Sequence, residues 1–427
     1  MDINRLLSGK RAVAAAALLA ALCLAQSWNT GQSCSGLDFY QFYSVGREAL
    51  SRKGENVYSD EFRVRYGREL SGRAAQSPDL RLQAAAQERT QLETYSTPFL
   101  YALFGSLSSG NYDRSYSLYQ LACLLCMTVA VLVLGRLMGF SLALSILFLA
   151  AAVSTFEGYL SDVRVANVNQ IQLAVLALLL WRLARAKTKA GDFLSGAILG
   201  ILILFKPNTL FIAVLLGISR LVNQRREKLA WEAAGALFAA AAAASLSSVA
   251  FGSSVCWGDW LRAASSIPAS VAPLSLGNFS LSRIAGDWGG LAVSRVLTVG
   301  LTGISAYSIW LGARKGRSQA TQDTPVVAAG CLIYLLSAPL VWLHYFLLAF
   351  PALIFILRPL PKRANHYGLG TRRTLGIATA IMLLSISSMT SFHGVQALYL
   401  AAVTTLTATA VLFALTLLEL GSSDLLT

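Results

Sequence analysis

Charge is the first thing this chain is short of. Of its 427 residues, 21 are acidic and 35 basic, and 13% carry charge, about half the share of an ordinary soluble domain. So few ions cannot cover a water-facing surface, and the mean hydropathy of +0.57 agrees. Histidine (3) and cysteine (6) are scarce too, which argues against a metal-ligand cluster or a disulfide-stapled scaffold. No P-loop, GxGxxG, HExxH or GxSxG string occurs, and no DxD pair for metal-bridged nucleotide sugars, so neither metal nor cofactor is expected. Internal repeats, heptad arrays and low-complexity tails are also missing.

What remains is apolar. Hydrophobic residues make up 55%, and runs of spanning length recur to the C-terminus, as in an all-α polytopic membrane protein. The net charge of +14 does not point to nucleic acid, because no basic groove with interleaved aromatics is present. Outside the long first loop the cations gather in short connectors: Arg182–Lys189, Arg220–Lys228, Ala313–Arg317, and a set between Arg358 and Arg373. Those connectors read as cytoplasmic. With Arg5, Lys10 and Arg11 holding the N-terminus inside, about twelve spans follow, near 12–28, 115–135, 140–158, 163–181, 192–205, 207–219, 229–252, 291–312, 325–341, 344–357, 374–391 and 395–417. The expectation is one integral membrane domain over 1–427 in the cell membrane, both termini cytoplasmic. Its extracytoplasmic loops are 29–114 and 253–290. The pair 192–205 and 207–219 reads as two half-spans broken at Phe205–Lys206–Pro207–Asn208.

From Asn29 to Thr94 nine acids balance nine Lys/Arg, and long loops escape the positive-inside count. Ser77–Pro78–Asp79 predicts a helix start with Ser77 as cap and an amphipathic surface helix to Glu93. The apolar run Pro98–Leu107 is too short to cross and is expected to lie in the interface or re-enter. Cys123 and Cys126 suit helix packing, while Cys34 and Cys256 fall in exterior loops where a disulfide can form.

Polar residues concentrate where the outer face should lie. Asp38 follows the first span among Phe39, Tyr40, Phe42 and Tyr43, a pattern that also fits an aromatic interface belt with one solvated acid. Glu157, Asp162, Arg164, Asn167, Asn169, Gln170 and Gln172 open the fourth span, Gly277–Arg283 lies in the second large loop, and Pro339 and Pro351 bracket Trp342, His344 and Tyr345. An acid, the cations Lys206 and Arg164, amides and a histidine together suit a lipid-phosphate donor: cations stabilise the phosphate leaving group and a carboxylate deprotonates the incoming hydroxyl. A transporter or lipid-sugar flippase is the rival reading, since broken helices with buried polar groups occur there as well.

The strings GLDFYQFY, YSTPFLYALFG, VANVNQIQLAVLALL, FKPNTLFIAVLL, LGNFSLSRI and LSAPLVWLHYFLLAFP occur in the order of the motifs of glycosyltransferase family 87. The chain resembles these GT-C-type enzymes, and among them the polyprenyl-phosphate-mannose-dependent α-1,2-mannosyltransferases, over about residues 12 to 355. The resemblance implies a GT-C bundle with a large first loop, a polyprenyl-phosphate sugar donor, a glycolipid or glycan acceptor among membrane lipids, and transfer of a hexose, mannose by analogy. It makes Asp38 the catalytic base and puts His344 beside the donor phosphate. Lys206, Arg164, Asn167, Asn169, Asn278 and Tyr345 are the further donor-binding candidates. Three departures stand out: Ala166-Asn167-Val168-Asn169 where Gly-Gln-x-Asn is common, Phe279 where Gln is usual, and Thr97 where a second proline is usual.

Overall fold

The computed structural model describes residues 7, 9–265, 277–281, 290–315, 319–359, 367–390 and 395–422. Arg5, half of 253–290 including Arg283, and Lys362 and Arg363 of the basic set between Arg358 and Arg373 therefore lie outside the described residues. Among the described residues the chain is helical, with one isolated bridge, Asn278 to Trp342, in place of any sheet.

Short polar side chains start many of the helices by accepting a backbone N–H that the first turn leaves free. Ser59 does so for α3 (Asp60–Ala75), Asp79 for α4 (Leu80–Glu88), Thr97 for α5 (Pro98–Leu107) and Asn111 for α6 (Tyr112–Leu137). Ser141 opens α7 (Leu142–Thr155) and Thr188 opens α10 (Lys189–Phe205). The expected cap at Ser77 is thus displaced to Asp79, whose own N–H is held by the Ser77 hydroxyl, and the helix stops at Glu88 instead of Glu93.

Among the described residues five helices are long and apolar enough to cross a membrane: α1 (Lys10–Ser33), α6, α12 (Arg226–Phe251), and the main parts of α14 (Gly290–Arg314) and α18 (Val395–Gly421). A sixth counts if α7 and α8 (Glu157–Val165), bent by 61° at Phe156, are one broken span. Length and composition therefore do not reach the twelve spans expected. Three of the shortfalls have visible causes. The span expected at 163–181 begins only at Asn169, because Ala166 adopts a left-handed conformation (φ 56°) that ends α8 before α9 (Asn169–Arg185) starts. The span expected at 344–357 is a seven-residue 3-10 helix, Leu343–Ala349, followed by the eight-residue α16 (Phe350–Leu357). Proline at 351 cannot donate an N–H at that junction. The half-spans 192–205 and 207–219 prove to be α10 and α11 (Leu210–Val222), joined by a 3-10 turn at Pro207–Thr209.

Contacts give the bundle two distinct ends. At one, the starts of α10, α12 and α15 (Gln319–Ser337) meet the end of α11 around Arg220, which is fully buried. Its guanidinium donates to both carboxylate oxygens of Glu232 (2.9 and 3.0 Å) and to Asp323 (2.5 and 3.2 Å). Lys228 adds charge 3.6 Å from Asp192. At the other end lie α2 (Leu37–Ser51), α3, α4, α5 and α13 (Cys256–Ser265). α10 and α12 pack backbone to backbone. A Cβ at Gly200 would stand 2.6 Å from the Ala236 carbonyl, and one at Gly196 or Gly235 would overlap the facing helix outright. Small residues allow that approach.

The aromatics around Asp38 are no interface belt. Phe39, Tyr40, Phe42 and Tyr43 are 1–7% exposed because α2 packs between α5 and α6, where Phe39 meets the rings of Phe104, Tyr112, Tyr116 and Tyr119. Most of Pro98–Phe104 is likewise covered by protein, while the end of α5 at Leu107 is strongly exposed. All six cysteines are free thiols, Cys34 and Cys256 included.

Candidate active site

A cavity of about 450 Å³ opens at the α2 end of the bundle, between α2, the break after α10 and the segment Pro339–Tyr345. Asp38 enters it from the first turn of α2. Gly36 sets that entry: it is left-handed (φ 72°), and a Cβ there would collide with the Tyr116 ring, so only glycine fits. Lys206 enters where α10 stops, since Pro207 prevents the helix from continuing. His344 and Tyr345 come from the 3-10 helix, and Asn167 from the turn after Ala166.

These groups meet directly. Asn167 donates its amide N–H to Asp38 Oδ2 at 2.6 Å. Lys206 Nζ donates to Asn167 Oδ1 at 2.9 Å and to Asn169 Oδ1 at 2.5 Å. Its ammonium also lies 4.1 Å from the centre of the Tyr345 ring, a cation–π contact. His344 Nε2 stands 3.9 Å from Asp38 Oδ2 and has no hydrogen-bond partner among the described residues although the residue is 5% exposed. Arg89 approaches the other carboxylate oxygen, Oδ1, at 3.7 Å. Burial pushes the Asp38 carboxyl above its ordinary value, and the Asn167 hydrogen bond and the charges of Arg89 and Lys206 pull it partly back. A carboxylate so placed is a stronger base than one in water.

Not every candidate joins the cavity. Asn169 lies one layer behind, where its amide donates to Asp162 at 2.7 Å. Arg164 ion-pairs with Glu157 and leaves its side chain half exposed, away from the cavity lining. Asn278 is wholly buried; its side-chain oxygen accepts from Val341 N (2.9 Å) and Ser280 N (3.1 Å), stapling the second loop to the Trp342 segment. Two departures acquire reasons here. Thr97 donates to the Leu204 carbonyl at 2.6 Å, capturing a helix-end acceptor that no proline side chain can serve. Phe279 is buried against Phe346.

Sequence reasoning missed Arg89, Glu93, Asn208 and Trp260, all of which line or flank the site. Arg89 is one of nine cations in a charge-balanced loop, and nothing in its neighbours marks it. Trp260 carried a weak signal: α13 places Trp257 and Trp260 on one side with their rings 5.7 Å apart.

The polar floor of Asp38, Asn167, Lys206 and His344 passes into an apolar wall of Leu210, Phe211, Leu340 and Trp342. Neither curated proteins nor solved structures gave a match. The sequence model of glycosyltransferase family 87 matches residues 94–342. That segment contains Asn167, Lys206 and Asn278, and the fold adds Asp38 from one side of it and His344 from the other. Spanning more than half of the chain, the match shows that this protein is a membrane glycosyltransferase and belongs to glycosyltransferase family 87.

Proposed function

We propose that the enzyme moves a hexose, mannose by family resemblance, from a polyprenyl phosphate to an acceptor hydroxyl on the extracytoplasmic side of the cell membrane, with inversion. The observation that carries this reading is one cavity holding a half-buried carboxylate, an ammonium and a buried imidazole whose Nε2 has no hydrogen-bond partner among the described residues, beside an apolar wall. Lys206 and His344 hold the donor phosphate, and Tyr345 fixes the ammonium from below. The isoprenoid chain runs along Leu210 and Phe211 toward lipid. The acceptor hydroxyl attacks the anomeric carbon from the face opposite the phosphate. As the new C–O bond forms, the bond between the anomeric carbon and the phosphate oxygen breaks, Asp38 takes the hydroxyl proton, and polyprenyl phosphate leaves with the bonding electrons. A lipid monophosphate carries the energy that a nucleotide sugar supplies elsewhere. Arg164 is better assigned to a structural pair with Glu157, and the spans beyond the five long helices and the bent α7–α8 pair are completed by shorter helices such as α10 and α11.

The assay that tests this incubates purified protein and a native lipid extract with polyprenyl-phosphate-mannose or, separately, GDP-mannose. Release of polyprenyl phosphate and a new mannolipid from the first donor alone is expected. Transfer from GDP-mannose and none from the lipid donor would overturn the reading.

A further inference from the structure

Asn167 stood among the sugar-binding candidates, yet its polar groups are committed inside the protein. Its side-chain oxygen accepts from Lys206 Nζ at 2.9 Å and from Val168 N at 2.8 Å. Its backbone carbonyl accepts from the Tyr119 hydroxyl at 2.6 Å, and its N–H donates to the Asp162 carbonyl at 3.2 Å. Only the amide nitrogen is left to face Asp38, and it donates to Oδ2. Turning the amide over would set oxygen against carboxylate and N–H against ammonium, so one orientation is allowed.

Asn169 repeats the arrangement two residues on: its oxygen accepts from Lys206 and its nitrogen donates to Asp162 Oδ1 at 2.7 Å. Lys206 therefore sits at the centre of a symmetric chain, with an amide on each side turned toward its own carboxylate. Asp162 is fully buried, while the Asp38 side chain keeps 15% of its surface open to the cavity. Gln170 and Asn169 both donate to Asp162, which leaves Asp38 as the reactive end.

We infer that Asn167 is a positioning residue: it fixes the Asp38 carboxylate by Oδ2, leaves Oδ1 to take the acceptor proton, and ties the base to the ammonium that faces the donor phosphate. This rests on Asp38 being the base. The left-handed turn at Ala166 delivers Asn167 to this point, and the Asn-Val-Asn spacing lets one lysine engage two amides. Asp38 also faces Arg89 from the end of α4, Lys206 from the α10 break and His344 from the 3-10 helix. The carboxyl of Asp162 and the phenols of Tyr101, Tyr119 and Tyr345 lie within electrostatic range. Replacing Asn167 alone leaves all of these groups in place, and in Asn167→Leu Lys206 keeps its bond to Asn169.

The test follows polyprenyl phosphate release against pH, with saturating polyprenyl-phosphate-mannose and lipid extract, for full-length Asn167→Leu and Asn167→Asp. Leucine keeps the volume and loses the hydrogen bond. Aspartate keeps the contacts to Lys206 and Val168 but cannot donate to Asp38. The expected result is a kcat about 10–100-fold lower, with the acidic limb of its pH profile moved up by about one unit in Asn167→Leu and further in Asn167→Asp, where two acids face each other. Adding Asn167→Leu to Asp38→Asn should cost little more than Asp38→Asn alone, because both changes act through one group. An unmoved limb in both variants, or a full additional loss in the Asp38→Asn background, would overturn the inference and make Asn167 a substrate ligand. Wild-type turnover by Asp38→Asn would instead bring down the assignment of the base, and this inference with it.

Discussion

Asp38 can act as a base only while ionised, and its surroundings decide when that is. Burial disfavours the charged form and lifts its pKa, while Asn167, Arg89 and Lys206 favour it. Because the net displacement is upward, turnover should rise with pH through a limb above the ordinary carboxylate range and be lost below it. Asp38→Asn keeps the shape and cannot take a proton, so kcat should fall by ~10²–10⁴-fold with the fold intact. A kcat within threefold of wild type, measured as polyprenyl phosphate release across pH 4–8, would refute the role. Under the proposed reaction Lys206 holds the donor phosphate, so a loss at that position should appear in the donor KM as well.

At the scale of the element, breaks matter more than spans. The α10–α11 break was legible because proline follows the lysine, and backbone chemistry there is local. The 3-10 helix carrying His344 was not legible: hydropathy measures apolarity, and an apolar run of fifteen residues reads the same whether it crosses a membrane or folds back under α8. Asp38 was legible as an acid beside a span, whereas the role of Asn167 depends on partners 39 and 129 residues away. Arg220 shows the same limit, since a cation in a connector read as a topology marker proves to be the hub of four helix ends. Its two carboxylates lose their shared partner in Arg220→Met. That should destabilise the protein by about 3–5 kcal/mol, seen as a lower melting temperature in detergent. Adding Glu232→Gln and Asp323→Asn should restore most of the loss, because the uncompensated charges are then gone. A single variant that melts like wild type would show the cluster to be energetically neutral.

Over the whole molecule, the two ends of the bundle carry different chemistry. The Arg220 cluster and the Lys189–Glu227 pair occupy one end, and the cavity lies at the other. If the basic connectors face the cytoplasm, a cysteine placed at exposed Ser51 should react with an impermeant thiol reagent in intact cells. One at exposed Lys187 should react only after permeabilisation. Both belong in a background whose six native cysteines are replaced. The opposite labelling pattern would put the cavity on the cytoplasmic side.

The left-handed turn at Ala166 and the 3-10 helix at His344 also say something about biosynthesis. The ribosome releases Asp38 well before Asn167, which follows it by 129 residues, and His344 comes later still. Through most of translation the nascent chain carries its acid with no cavity around it and no imidazole to meet a phosphate. Under the proposed reaction, an unfinished or prematurely terminated chain would sit among sugar-laden lipids without hydrolysing them. Under that reaction the cavity would be whole only once the segment after α15 has docked beneath α8, so the emergence of His344, and not that of Asp38, completes the site.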